Sequence, residues 1–399
     1  MSSSTASISH DVATRLPLGA LLALTTAAFV TVLTEALPAG VLPAMSAGLH
    51  VSESATGQAV TIYAIGTALT AIPLSAATAG WRRKRLLLTG VAGFAVANTV
   101  TAVSANFPLT MAARFVAGVA AGVVWALLAG YAGRLAPEHL RGKAIAIVMA
   151  GIPLALSLGI PAGTFLGGVL GWQVTFGIMS ALAVVLVGWI LVTVPDHPGQ
   201  DRGSRVRVLR TLAIPGVAPV LFVTLAFVLA HNILYTYIAT FLDRLGMGGS
   251  VDVVLLVFGI ASMVSIAVVG ARIDRHLRAL LVAGTVLVAV AAAIFAVLAG
   301  SPALVYVAAA LWGLGWGGVP TLLQTAVGTA GGEAADLAQA MLVTLWNAAM
   351  AGGGVAGGIL LGVFGPRAFP WSVLVLLLPA FVVVLAARTH GFPGRRAKS

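Results

Sequence analysis

The sequence has no cysteine, little charge and still less acid. Of 399 residues only 8% are charged, with 11 Asp and Glu against 22 Lys and Arg. Without cysteine there are no disulfides and no thiolate metal sites. So little charge excludes an ordinary soluble globule, whose water-facing surface takes about 25% charged residues. No phosphate-cradling G-x-x-x-x-G-K-S/T segment occurs, so nothing supports ATP drive. No histidine cluster has the spacing of metal ligands, and no cofactor is expected. The net charge of +11 invites a nucleic-acid reading. The basic residues, however, stand in short clusters between long apolar runs and not along one solvated face, so no nucleic-acid partner is expected.

What is present is apolar sequence. The apolar share is 60% and the mean hydropathy is +1.06, so most of the outer surface must face lipid. A helix needs about 20 apolar residues to cross the hydrocarbon core. Runs of that kind predict spans at 16–42, 55–79, 86–104, 108–134, 144–168 and 172–194, then 215–242, 250–271, 279–299, 302–328, 338–364 and 369–387. The first run follows a polar stretch without a small-residue cleavage pattern and reads as a retained helix. The expected organisation is a tail 1–15, a six-helix half 16–194, a linker 195–214, a second half 215–387 and a tail 388–399.

Basic loops stay cytoplasmic. With both termini inside, 19 of the 22 basic residues fall on that side, Arg244 and Arg367 fall outside, and Arg114 lies within a span. The expected location is the cell membrane, as a multi-pass protein. The halves also repeat. Gly118 and Gly122 recur as Gly313 and Gly317, and Gly159, Gly163 and Gly167 as Gly354, Gly358 and Gly362, all at an offset of 195 residues. Glycines four apart share a helix face and admit close helix–helix approach. The expected fold is all-α, with twelve spans in two pseudo-symmetric halves around a central cavity.

Four stretches resemble the major facilitator superfamily, in particular its twelve-helix drug:proton antiporters and the arabinose-efflux, sugar-efflux and chloramphenicol-resistance type permeases. The resemblance covers about 16–387. One stretch is Thr34-Glu35-Ala36-Leu37-Pro38-Ala39-Gly40-Val41-Leu42-Pro43. Another is Arg114 with Gly118 and Gly122, similar to the family's fourth-helix arginine motif. A third is Gly159-Ile160-Pro161-Ala162-Gly163 with Gly167 and Gly168, similar to the fifth-helix antiporter motif. The last is the loop after the second helix of each half. There the family usually carries an aspartate that latches the cytoplasmic gate. The second half keeps it in Gly270-Ala271-Arg272-Ile273-Asp274-Arg275. The first half, Gly80-Trp81-Arg82-Arg83-Lys84-Arg85, lacks it, with no acid between Glu53 and Glu138.

An ionisable group at the bilayer centre costs about 2.5–3.5 kcal/mol on insertion scales, so each one calls for a reason. Away from their ends the spans hold one acid, Glu35, one permanent cation, Arg114, and His231. Glu35 lies eight residues before Pro43 and Arg114 six after Pro108. At 1.5 Å per residue these are about 12 and 9 Å from the outer ends. Neighbouring first and fourth helices, which the resemblance implies, would bring the two into contact. A carboxylate beside a guanidinium stays ionised, and one left alone in a dry site takes a proton. The pair is therefore the expected proton-coupling site. A purely structural ion pair, or an arginine reaching back to the headgroups, is the other reading.

His231 shares a helix face with Tyr235 and reads as a neutral hydrogen-bonding residue of the cavity wall. Tyr63, Trp125, Asn232, Trp312, Trp316, Gln324, Trp346 and Asn347 complete the expected wall, which suits amphipathic molecules of drug size. Tryptophans filling helix–helix gaps are the alternative. Gly118, Gly122, Gly159, Pro161, Gly163, Gly167, Arg272, Asp274 and Arg275 are expected in gating and helix packing. The electrical part of a proton gradient supplies about 2.3 kcal/mol per charge per 100 mV, enough to sustain a roughly fiftyfold substrate gradient. The expected activity is proton-coupled efflux of a small amphipathic compound by a monomer, with lipid as its surroundings and protons and substrate as its partners. Sugar or other small-metabolite efflux is the runner-up. An intramembrane enzyme would want a second acid or a serine–histidine pair at matched depth, and a receptor a larger output domain; neither is evident.

Overall fold

The protein is described from a computed structural model, covering residues 16–199 and 208–393. The tail 1–15, the middle of the linker (200–207) and the end 394–399 lie outside the described residues, so the expectations placed on them stay as such. Every regular element among the described residues is a helix.

The first half runs α1 (Leu18–Gly40), α2 (Glu53–Ala77), α3 (Arg83–Val103), α4 (Phe107–Leu135), α5 (Glu138–Leu170) and α6 (Trp172–Thr193). The second begins with α7 (Val217–Thr236). Helix Val251–Val297 is continuous for 47 residues. That is about 70 Å at 1.5 Å per residue, over twice the roughly 30 Å hydrocarbon core. At His276 the backbone leaves helical geometry (φ −135°, ψ 27°), and the helix divides into α8 (251–275) and α9 (277–297). Helices Pro302–Trp316 and Val319–Gly331, interrupted at Gly317 and Gly318, form α10, followed by α11 (Ala335–Phe364) and α12 (Ala368–Ala386). Twelve spans result.

Local chemistry sets the ends. Ser52 accepts from the Ala55 N–H at the start of α2 (3.2 Å), and Asn106 from the Leu109 N–H at the start of α4 (2.9 Å), each satisfying an orphan donor. Gly171 between α5 and α6 and Gly365 between α11 and α12 have φ of 89° and 74°, a region glycine enters freely.

Each half buries its own apolar core, one between Ala20 and Val194 and the other between Val217 and Phe392. A small cluster of Ala71, Ala126, Ala340 and Val343 joins them. Large apolar side chains such as Val192, Val103 and Val375 remain exposed, as a lipid-facing surface requires.

The repeat is visible atom by atom. A Cβ on Gly118 would strike the Tyr63 carbonyl, and one on Gly313 the Phe258 carbonyl. Thr67 donates to the Gly118 carbonyl at 2.9 Å, and Ser262 to that of Gly313 at 3.2 Å. Gly122 lies against Thr67 and Ala71, and Gly317 against Ser262. Each of these pairs is 195 residues apart (258 − 63, 262 − 67, 313 − 118).

In α5 and α11 the pairing differs from the expected one. Gly159, Gly163 and Gly167 pack on α1, against Phe29, Leu37 and Val41. In α11, however, Gly353 and Gly357 pack on α7, against Asn232 and Tyr237, while Gly354 and Gly362 face open space and Gly358 meets only the Tyr237 hydroxyl. The packed glycines of α11 thus lie one residue before those that the 195 offset names, and the positive-φ glycines that follow the two helices, Gly171 and Gly365, are likewise 194 apart (365 − 171). The cause is a π-turn at Ala155–Gly159, flanked by Pro153 and Pro161, which inserts one residue into α5 and shifts the register by one. Ser157 Oγ donates to the Pro153 carbonyl at 2.6 Å, giving that acceptor a side-chain partner.

Candidate functional site

The first half holds a buried charged pocket. Arg114 on α4 is completely buried. Its Nη2 donates to the Thr34 carbonyl at 2.6 Å and the Glu35 carbonyl at 3.4 Å, and its Nε to the Ala59 carbonyl at 3.4 Å. The guanidinium carbon lies 5.1 Å from the centre of the Tyr63 ring, and Tyr63 donates its hydroxyl to the Thr31 carbonyl. Arg114 therefore reaches α1 as expected, but through backbone carbonyls. No ion pair joins it to the Glu35 carboxylate among the described residues. The last turns of α1 carry Pro38, which lacks the N–H that would bond the Thr34 carbonyl, so that oxygen is open to the arginine. Asn98 on α3 is also buried here and donates to Thr34 Oγ1 at 3.1 Å.

The second half holds rings instead. His231 on α7 lies parallel to Trp316 on α10, with centroids 3.5 Å apart and planes at 4°. Trp312 donates its indole N–H to His231 Nδ1 at 3.1 Å. Tyr235, Phe258 and Trp312 surround the imidazole at centroid distances of 5.3, 5.9 and 5.3 Å. Trp346 reaches Trp316 from α11 at 5.7 Å. Trp312 is wholly buried, while Tyr235 is 44% exposed.

Polar contacts between the halves gather at the basic end of the bundle. Asp336, at the start of α11, pairs with Arg83 (2.6 Å) and with Arg134, which reaches both carboxylate oxygens at 3.0 Å. Ser75 donates to the Asp336 carbonyl, and Thr344 to that of Ala68. Asp274, in the last turn of α8, accepts from the backbone N–H groups of Gly142 and Lys143 at the start of α5, where the helix dipole also favours an anion. Gln324 donates to Met149 Sδ at 3.2 Å, and its carbonyl accepts from Gln339. Nothing comparable joins the far ends among the described residues. The polar contacts that tie the halves together thus lie toward one end, while the charged pocket belongs to the first half and the ring cluster to the second.

The sequence profile described as Major Facilitator Superfamily matches residues 24–335. The chain belongs to the major facilitator superfamily. It is 30% identical to the Pseudomonas aeruginosa protein named transcription regulatory protein OpdE over 94% of both chains. It is 29% identical to a chloramphenicol efflux pump of Mycobacterium tuberculosis over 84% of both. A probable sugar efflux transporter of Mannheimia succiniciproducens is 26% identical over 88% of this chain and 92% of its own. Among solved structures, a proton:xylose symporter of the superfamily aligns with a TM-score of 0.74 at 14% identity, over 93% of this chain and 95% of that one.

As a major facilitator protein, the chain is a multi-pass membrane transporter. Its expected wall residues do not stay together. His231, Tyr235, Trp312, Trp316 and Trp346 come together in the ring cluster. Tyr63 instead belongs to the charged pocket, and Trp125 packs on the Ala71–Ala126–Ala340–Val343 contact between the halves. Gln324 lies in the closed floor, and Asn232 and Asn347 donate to their own helices, at Val228 and Val343. Arg272 and Arg275 are exposed beside Asp274. Sequence reasoning missed Asn98, Arg83, Arg134 and Asp336. For Asp336 a signal existed: an acid at the start of a span, 195 residues after Arg141 at the start of α5 (336 − 141).

Proposed function

We propose that this protein is a proton-coupled antiporter that expels a small amphipathic compound by alternating access. The basic end faces the cytoplasm, so the closed latch marks an outward-facing state and both termini lie inside. The observation that carries the reading is the division of the inner walls. Glu35 and Arg114 sit on one half, and a ring cluster without any acid sits on the other. With Arg114 engaged by the carbonyls of Thr34 and Glu35, the carboxyl of Glu35 is left without an ion-pair partner. A proton can then load from the side to which the cavity opens. When the halves rock, Arg114 can exchange a carbonyl for the carboxylate and discharge that proton. The rings supply an apolar surface of the kind that holds drug-sized molecules. The chloramphenicol efflux pump among the relatives agrees with this substrate class. The sugar efflux relative keeps sugar export as the second reading, since aromatic faces also stack on sugars.

The test is transport in proteoliposomes with an imposed pH gradient, comparing chloramphenicol, a cationic dye and a pentose, with Glu35→Gln in parallel. Gradient-driven movement of chloramphenicol that falls at least tenfold in Glu35→Gln is the expected result. Movement that ignores both the gradient and the substitution sinks the proton role of Glu35. Movement of the pentose alone replaces the substrate class.

A further inference from the structure

The ring cluster carries more information than an apolar surface would, because its hydrogen bond has only one possible direction. Indole N–H is a donor and cannot accept. Trp312 Nε1 stands 3.1 Å from His231 Nδ1, so Nδ1 carries the lone pair and the imidazole proton sits on Nε2. His231 is 93% buried by its 7% exposure. Its Nε2 has no hydrogen-bond partner among the described residues and is not fully enclosed. A single N–H, held by a neighbour's hydrogen bond and by a parallel stack on Trp316, is thus left for whatever enters.

The rings around it also have a sign. An aromatic face is electronegative and its edge electropositive. Here Trp316 is stacked on His231 and, at 6.0 Å, on Phe227. Beside them stand the half-exposed Tyr235 and the unpartnered His231 N–H. No acid lies inside the second-half spans: Asp243, Asp252, Asp274, Glu333 and Asp336 stand at helix ends or loops. A cation would find no counter-charge on this wall. An oxygen lone pair would find a fixed donor.

We infer that His231 is the specificity-determining residue of this wall, selecting uncharged ring-bearing compounds that carry a hydrogen-bond acceptor such as a nitro, carbonyl or sulfonyl oxygen. The inference rests on the transport reading above and deepens it, from amphipathic compounds in general to acceptor-bearing neutral ones. Trp312 acts as a positioning residue, fixing the tautomer without touching the ligand.

The test measures binding without any gradient, so it is independent of proton coupling. Calorimetry on purified protein in detergent compares chloramphenicol, which is uncharged and carries nitro and amide oxygens, with ethidium, a planar cation. Three variants are used. His231→Phe keeps the ring and removes the donor, His231→Gln keeps a donor, and Trp312→Phe releases the tautomer. Melting curves confirm that each is folded. The expected result is a loss of about tenfold or more in chloramphenicol affinity for His231→Phe. His231→Gln should fall within about threefold of the parent, Trp312→Phe between the two, and ethidium should change little throughout. Equal losses for both probes in a folded His231→Phe would make His231 merely structural. Tighter binding of ethidium than of chloramphenicol by the parent protein overturns the inference, as does binding of neither chloramphenicol nor any of a panel of nitro, carbonyl and sulfonyl arenes. Chloramphenicol binding that follows the pattern without any pH-driven transport leaves this inference standing and removes the antiporter reading.

Discussion

Helices α2 and α4 of the first half and α8 and α10 of the second pack by the same contacts, yet fill the space between them differently. At the 195-residue offset Tyr63 answers to Phe258, and Thr67 to Ser262 with the same hydrogen bond to a glycine carbonyl. One turn away the correspondence reverses. Arg114 answers to Ala309, while Trp312 and Trp316 answer to Ala117 and Ala121. Close glycine packing at Gly118, Gly122, Gly313 and Gly317 brings each helix pair to the same separation, so bulk added on one side must be given up nearby. The first half spends its space on a guanidinium and the second on indoles. A duplicated scaffold can hold two unlike chemistries because its packing is carried by glycine and hydroxyl contacts that neither chemistry uses.

The basic end shows the same reversal in charge. In the second half the acid, Asp274, lies in the last turn of α8 and caps the start of α5, where Arg141 stands. In the first half the loop after α2 offers Arg83, and the acid, Asp336, stands at the start of α11. The first half thus offers a base to an acid across the interface, the reverse of the second half. Asp336→Asn keeps the shape but leaves Arg83, only 2% exposed, without a counter-charge. Breaking a buried pair costs about 3–5 kcal/mol, enough to drive the protein toward opening at the basic end. Asp274→Asn loses only charge-assisted bonds to backbone N–H groups, worth about 1.5–3 kcal/mol. Because the chain has no cysteine, spin labels at Arg85→Cys and Arg275→Cys report the separation of the halves cleanly. The distance distribution should lengthen for both variants, and more for Asp336→Asn. An unchanged distribution in Asp336→Asn would mean that the two latches are not what holds this end closed.

The shared scaffold is tested by alanine at its glycines. Gly118→Ala and Gly313→Ala each drive a methyl into a backbone carbonyl, and overpacking of that kind costs about 1–3 kcal/mol. Both should lower the melting temperature in detergent by similar amounts. Gly354→Ala and Gly362→Ala meet nothing and should stay within about 0.5 kcal/mol of the parent. A large loss at Gly354 would restore the 195-residue register in α11 and remove the shift assigned to the π-turn.

The parts legible in the sequence were those written in composition and spacing. Twelve spans follow from apolar run length, and the α4–α10 glycine pairs from a constant offset, since a straight helix keeps register. The offset failed in α5 and α11 because an inserted π-turn leaves no mark in a glycine count beyond the prolines at 153 and 161. The depth match of Glu35 and Arg114 was readable from rise per residue, but its form was not. Whether an arginine meets a carboxylate or a carbonyl depends on side-chain rotamers and on the acceptor freed by Pro38. Tyr63 was placed in the wrong pocket for a related reason: an aromatic residue in a span does not declare which neighbour its face will meet. Asp336 was marked by its place at a span start, but its pairing with Arg83 and Arg134 was not, because long-range pairing across halves has no local signal.

The smallest expected effect lies where the linker meets the first half. Asp196 pairs with Arg82 and accepts from the Lys84 N–H, Tyr131 donates to the Pro195 carbonyl, and the Arg83 N–H donates to the His197 carbonyl. The His197 ring sits edge-on to Tyr131, 5.5 Å away. Burial and the nearby Arg134 hold its pKa below the ordinary histidine value, against the opposing pull of Asp196. The unfolded chain then takes a proton at about pH 6.5, while the folded one does so only at lower pH. Stability contributed by the docked neutral ring is complete above that value and declines as pH falls below it. Asp196 does not confuse the window. Although burial opposes it, bonding to Arg82 and Lys84 lowers its pKa, so its contribution is lost only in the more acidic carboxylate range. The second half has no described histidine docked in this way against its own loops, so the effect should be confined to one side of the latch. Hydrogen exchange, corrected for intrinsic rates, should show protection at the Arg83 amide falling a few-fold between pH 7.5 and 5.5, with the Gly142 and Lys143 amides unchanged. His197→Gln should flatten the change at Arg83. A parallel fall at all three amides would instead make the pH response a property of the whole basic end and dissolve the distinction between the two latches.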